Sequence, residues 1–196
     1  MKVPVVKPLS KVNADRKAIQ FLELIFPEGL KDPQPFPALK FFELGKFRKL
    51  FKYECYVDAL PEKHQGFTDF DAQEIVISES TYEGAQDNYP RDLFTIMHEF
   101  AHAIIHGPQL QNKQMSLIER RGVTMAHRKS IPAYLDPEWQ ANSFAGGVAA
   151  PIMHVNRLLK EGVTVAELTA IFKISPQTAE IRVERVFEYR ENGVLK

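Results

Sequence analysis

Hydrophobic positions recur at helical spacing along most of the chain and at a period of two in one short region. Residues 14–26 put Ala18, Phe21, Leu22 and Ile25 on one side of a helix, with Asn13 as its cap and Pro27 as its end. Prolines at 33, 35 and 37 mark a turn, and a short helix over 38–44 ends at Gly45. From Phe51 the period becomes two. Phe51, Tyr53, Cys55 and Val57 alternate with Lys52, Glu54, Tyr56 and Asp58, which predicts a half-buried strand. Residues 73–80, with Ile75, Val76 and Ile77, predict a second strand, and Gly66 and Asp69 to Asp71 are read as turn material. A small antiparallel sheet is therefore expected before residue 90.

Helices dominate the chain from residue 90 onward. Residues 90–107 form one, started by Pro90 and stopped by Gly107 and Pro108. Asp136 caps another, with Pro137 in its first position, running to Ala149 or Ala150; Gly146 and Gly147 weaken it and suit close approach of another backbone. Residues 152–161 give a further helix. Thr164 and Glu167 form a capping box for 165–172, and Ser175-Pro176 starts the last helix, to about Tyr189. The fold class is α+β: a small antiparallel sheet packed on a mainly helical domain, with a C-terminal pair outlined like a helix-turn-helix. The chain divides into an N-terminal helical segment (1–50), a core with the sheet and two chemistry-bearing helices (51–151), and a C-terminal helical pair (152–196). Residues 109–134 have no clear period. Lys113, Arg120, Arg121, Arg128 and Lys129 outweigh Glu119 there, which suits a solvated loop able to act as a flap over a cleft.

The helix over 90–107 carries the chemistry. Leu93, Phe94, Ile96, Met97, Phe100, Ala101, Ile104 and Ile105 make it apolar nearly all round, which belongs in a core. Yet it also holds His98, Glu99 and His102, costly to bury without partners. His98 and His102 are four apart, so both imidazoles lie on one face and can close on one ion. Glu99 lies one step round the helix, placed to take a proton from water without being a ligand. This is the H-E-x-x-H arrangement of zinc hydrolases, in which the metal polarises the scissile carbonyl and a glutamate acts as base.

Composition narrows the setting. The chain has 196 residues, 44% of them hydrophobic, with 14 Phe, enough for a substantial core. Its 25 basic and 25 acidic residues cancel, so nothing global suggests a nucleic-acid or membrane partner. The single cysteine, Cys55, excludes an internal disulfide and a thiolate zinc site. Residues 1–8 are too short and proline-broken for a signal peptide, and no run approaches membrane-spanning length; a soluble, cytoplasmic protein is expected. Lys46, Arg48, Lys49 and Lys52 read as a solvated basic face.

A hydrolase zinc site needs a third ligand and an open position. His106 lies about 6 Å beyond His102 along a straight helix, from a rise of 1.5 Å per residue, so it is read as a packing or supporting residue. Ile105 and Pro108 occupy the positions where a metzincin needs glycine and histidine. A carboxylate from a later helix remains: Glu138 is best placed, Glu119 sits in the irregular stretch, and Asp136 is occupied as a cap. His64, His127 and His154 read as structural or surface residues. An oxyanion partner is sought among Tyr89, Tyr134 and His127, with the choice open.

The stretch Arg91-Asp92-Leu93-Phe94-Thr95-Ile96-Met97-His98-Glu99-Phe100-Ala101-His102-Ala103-Ile104-Ile105-His106 resembles the metal helix of the ImmA/IrrE metallo-endopeptidase family. Ile131-Pro132-Ala133-Tyr134 with Pro137-Glu138-Trp139-Gln140-Ala141-Asn142-Ser143-Phe144-Ala145 and Pro151 resembles its second block. The strand at 74–78 and residues from Glu167 to Arg182 follow the same layout, so the likeness spans roughly 50–188. It implies a gluzincin-type endopeptidase that holds one Zn2+, or another divalent ion such as Mn2+, through His98, His102 and Glu138, with Glu99 as the catalytic base. The implied substrate is a transcriptional repressor of a mobile element or stress regulon. This chain departs from its relatives at Gly146-Gly147-Val148-Ala149-Ala150, where they carry bulkier aliphatic residues, and its first 50 residues do not resemble a DNA-binding domain. Two other readings stand beside it. One is a protease-like module that binds a regulator without cutting it. The other is a DNA-binding regulator using the C-terminal pair, against which Glu180, Glu184 and Glu188 set negative charge along the would-be recognition helix.

Overall fold

A computed structural model describes residues 2–110 and 125–195. Its elements are β1 (Lys2–Pro4), α1 (Lys11–Ile25), α2 (Glu28–Lys31), α3 (Ala38–Glu43), α4 (Lys46–Phe51), β2 (Glu54–Asp58), β3 (Gly66–Asp69), β4 (Glu74–Ser78), α5 (Glu79–Gln86) and α6 (Pro90–Ala101). The α6 helix continues through a π-helical turn (His102–His106) into an α-helical turn, Gly107–Leu110. Then come β5 (Met125–His127), two short 3₁₀ turns, α7 (Pro137–Ala149), α8 (Ile152–Lys160), α9 (Val165–Phe172) and α10 (Pro176–Glu191). The fold is α+β, mainly helical with a small sheet. No described helix is long and apolar enough to cross a membrane.

The three-stranded sheet is mixed rather than antiparallel. Its order is β2-β4-β3, with β4 parallel to β2 and antiparallel to β3. Hydrophobicity explains the arrangement. β4 carries Ile75, Val76 and Ile77, all buried, and takes the centre; β2, which exposes Tyr56 and Val57, takes an edge. The other edge strand, β3, is formed by residues read from sequence as turn material. A tight connection fixes its pairing: Asp69 Oδ1 accepts from the Asp71 and Ala72 N–H groups, and Gln73 adopts a positive φ of 60°.

Local chemistry accounts for most helix ends, with corrections. The cap of α1 is Ser10, whose hydroxyl accepts from the Asn13 N–H, so this helix starts three residues before the expected Ala14. The Thr164–Glu167 capping box, the Ser175 cap and the Asp136 cap form as read. α4 replaces part of the expected strand start. Phe47 holds it down by stacking on Phe100 of α6, with ring centroids 4.2 Å apart.

One hydrophobic cluster runs through the molecule, from Leu9 and Phe21 through Phe100 and Phe144 to Val186. Phe21 is its hub, meeting Phe36, Phe47, Phe51 and Phe144 at 5.6–6.5 Å. The α1 helix crosses α7 closely. A Cβ on Gly147 would come within 2.8 Å of the Ala18 Cβ and 3.0 Å of Asp15 Oδ1, which only glycine avoids. A second, two-stranded ladder joins β1 to β5, and the Leu9 N–H donates to the Tyr134 carbonyl. The N-terminal segment is thereby tied to the stretch leading into α7. The charged stretch read as a possible flap lies largely outside the described residues, Lys113, Glu119, Arg120 and Arg121 among them.

Candidate metal centre

The helix over 90–107 does not stop at Gly107. Gly107 has a right-handed φ of −48°, and the chain continues helically through Pro108. A proline inside a regular α-helix clashes with the carbonyl four residues back and removes a donor. A wide π turn relieves that conflict, and such turns concentrate at functional sites. Gln109 assists: its amide donates to the Ile105 carbonyl at 2.8 Å, and its Oε1 accepts from the Lys7 N–H.

On this helix His98 and His102 face α7, and Glu138 in the first turn of α7 completes a cluster. The Nε2 atoms of His98 and His102 are 3.0 Å apart; His98 Nε2 lies 3.4 Å from Glu138 Oε2 and His102 Nε2 lies 3.4 Å from Glu138 Oε1. A tetrahedral zinc site with bonds of about 2.0–2.1 Å separates its ligand atoms by about 3.3–3.4 Å. Two imidazoles and a carboxylate converging at 3.0–3.4 Å fit such an ion. Asp136, the alternative carboxylate, is spent on its cap and on an ion pair with Arg128 at 2.8 Å. Glu119 lies outside the described residues.

A buried string of hydrogen bonds extends from the cluster, and its protons can be assigned from the far end. The Gln140 amide nitrogen donates to the carbonyls of Lys7 and Tyr134 at 2.9 and 2.8 Å, so its Oε1 must face His106 Nε2, at 3.1 Å. That oxygen only accepts; His106 therefore carries its proton on Nε2. A neutral His106 then offers Nδ1 as acceptor to His102 Nδ1, 3.0 Å away. With its proton on Nδ1, His102 keeps a bare lone pair on Nε2, the atom aimed at the cluster. On the other side Asn142 Oδ1 accepts from His98 Nδ1 at 2.9 Å. Both histidines of the cluster are thus oriented through the ring nitrogen that faces away from Glu138.

Charge follows the same geometry. Burial drives His102 down to about 3, helped by His98 and His106, and drives His106 down to about 4. Glu138 is held down to about 2, chiefly by its hydrogen bond to His98. His98 stays above its ordinary value although burial opposes its charge, because Glu138, Glu99 and Asn142 favour the protonated ring. Glu99 is 6% exposed and pushed upward by burial, partly offset by His98 and by a hydrogen bond from Thr68. The Thr68 hydroxyl lies 2.7 Å from Glu99 Oε2. β3 reaches Glu99 closely: a Cβ on Gly66 would be 3.3 Å from the Glu99 Cγ and 3.0 Å from the Val76 carbonyl.

Other residues singled out from sequence lie elsewhere. Tyr89 and Tyr134 are 58% and 48% exposed, and His127 is exposed. Tyr134 contributes its backbone carbonyl instead. His154 is buried against the Gly29 carbonyl, away from the site. The burial of Cys55 pushes its thiol up to about 12, an inert state. Thr68, Gln140 and Asn142 join the site without a sequence signal of their own, although two of them stand in the block around Glu138.

No family model matches the chain, and no curated protein does. Among solved structures, a chain described as a Mycobacterium tuberculosis transcriptional regulator superposes with a TM-score of 0.53 at 15% identity, covering 86% of this chain. The matched part is 45% of that chain's length. Likeness at this level bears on the fold alone.

Proposed function

We propose that this chain is a zinc-dependent endopeptidase, with His98, His102 and Glu138 as metal ligands and Glu99 as general base. The observation that carries the reading is the convergence of three ligand atoms, at zinc-like spacing, beside a buried glutamate held by Thr68. When bound, the ion would supply Lewis acidity toward a peptide carbonyl and acidify water. The residues divide the remaining work. Burial raises the affinity of Glu99 for a proton, so it can take one from the attacking water as oxygen bonds to the carbonyl carbon. It then delivers that proton to the amine nitrogen as the C–N bond breaks. Thr68 fixes which carboxylate oxygen does this. β3, which carries Thr68, is an edge strand of the sheet among the described residues, and such an edge can hold an extended peptide by adding it as a strand.

The resemblance to the ImmA/IrrE family supports the same reading and points to a repressor as substrate. The acidic outer face of α10, where Glu180 and Glu184 are exposed, speaks against duplex DNA as a direct partner. Regulation without cleavage is the second reading, favoured by the description of the structural neighbour. One variant separates the two. Glu99→Gln should bind zinc and a repressor normally while cleavage falls by about 10²- to 10⁴-fold. No cleavage by either protein with tight stoichiometric capture would favour the second reading, and equal cleavage by both would rule out Glu99 as the base.

A further inference from the structure

A second polar feature lies beside the metal helix and takes no part in the metal chemistry. Between the first turns of α6, one face of α7 and the start of α10 is a cavity of about 610 Å³. That volume suits a small organic ligand. Phe94, Trp139 and Ile181 give it apolar walls. Its charged lining residues are Arg91, Arg182 and Arg185, with no carboxylate among the described ones.

Two of these arginines are buried and, among the described residues, share a single counter-charge. Side-chain exposure is 1% for Arg182 and 7% for Arg185. Arg182 lies 2.7 Å from Asp15 Oδ1, and its Nε donates to the Ala150 carbonyl at 2.9 Å. Arg185 fares worse. Its Nη1 is 3.7 Å from Asp15 Oδ2, too far to bond, and has no hydrogen-bond partner among the described residues. The same Asp15 oxygen already accepts from the Tyr189 hydroxyl at 2.8 Å. Two guanidiniums against one carboxylate leave a buried positive charge uncompensated, an arrangement proteins avoid unless something completes it.

The start of α10 adds charge of the same sign. The positive end of the helix dipole faces the cavity through Ser175, Gln177 and Thr178. Pro176 has no N–H and Ser175 Oγ caps Thr178, which leaves the Gln177 N–H without a partner inside the helix.

We propose that this cavity binds a small organic anion, a carboxylate or phosphate carried on an aromatic or aliphatic body. Arg185 and the first turn of α10 receive the charge, and Phe94, Trp139 and Ile181 receive the body. Asn142 lines the same cavity and also orients His98, so the anion would sit one residue from the metal ligands. The proposal does not depend on peptidase activity.

Trp139 is the single tryptophan of the chain, so its fluorescence reports on this cavity. The full chain is titrated with phenylacetate, phenyl phosphate and the neutral phenylacetamide. A saturable change is expected with at least one anion, with phenylacetamide weaker by about tenfold or more, the usual loss for a charge-assisted contact. The preferred anion distinguishes carboxylate from phosphate. Gln177→Glu, at an exposed position, and Arg185→Gln should each weaken the anion by about tenfold. Circular dichroism and melting temperature confirm that both variants fold. Equal binding of phenylacetamide, unchanged anion affinity in the folded variants, or no saturable change with any probe would overturn the proposal.

Discussion

Two groups of polar side chains meet α7, one near its start and one near its end, and they are completed to different degrees. At the start, Glu138, Gln140 and Asn142 join His98, His102 and His106 in a string where every ring nitrogen has a partner. At the end, Arg182 and Arg185 crowd one aspartate and leave guanidinium nitrogens unpaired. In the first group each bond dictates the next, which is what a metal site needs from its surroundings. The second is a strained balance of charge. The lesson is that burial alone does not identify function; the degree of completion tells a prearranged site from one that expects a visitor.

The largest expected effect lies in the second group. Asp15→Asn removes the carboxylate that faces both arginines and should cost about 3–5 kcal/mol of stability, measured by urea unfolding, as for other broken buried pairs. Loss below about 1 kcal/mol, the level of an exposed pair, would mean that the arginines are compensated elsewhere.

The string at the start of α7 should respond through metal affinity. Gln140→Met removes the acceptor that fixes His106 and, through it, His102. Zinc affinity by chelator competition should fall about 10- to 100-fold, the usual range for such supporting residues. The tautomers can be read in the same variant by 15N spectroscopy. Wild type should carry the His102 proton on Nδ1 and the His106 proton on Nε2, and Gln140→Met should mix the two forms.

Smaller in size but sharper in sign is the proton balance of metal binding. Ligand imidazoles must be neutral. His102 is already neutral near pH 7, whereas His98 sits above its ordinary 6.5. Zinc binding at pH 6.5 should therefore release more than half a proton and not two, and affinity should rise with pH until His98 is fully titrated. Calorimetry in buffers of different ionisation enthalpy measures this directly. Stability of the metal-free chain carries a related sign. Unfolded imidazoles take up protons near 6.5, but His102 and His106 resist until about 3 and 4. Their contribution to stability is therefore present above the unfolded value and should be lost as the pH drops through that window.

Much of the site was legible because its signals are local. Two histidines and a glutamate in an apolar helix announce themselves by cost, and Asp136-Pro137-Glu138 marks a helix start that presents Glu138. The expected stop at Gly107 failed because helical φ is open to glycine too, and the π turn let the chain pass Pro108. The β1–β5 ladder joins segments more than 120 residues apart and leaves no periodic trace. Thr68 was hidden because Gly66 and Asp69 look like turn residues when the neighbouring Glu99 and the β4 partner are unknown. The string through Gln140 ends on the carbonyls of Lys7 and Tyr134, backbone groups that every residue possesses and no sequence pattern can flag.

The central claim is that one ion is gripped by His98, His102 and Glu138 from two separate helices. Anomalous diffraction at the zinc edge, from crystals of the zinc-loaded chain, tests it most directly. One peak is expected, with two imidazole nitrogens and one carboxylate oxygen at about 2.0–2.1 Å. A zinc-loaded crystal with no peak between these side chains, or with a peak lacking Glu138, would contradict it.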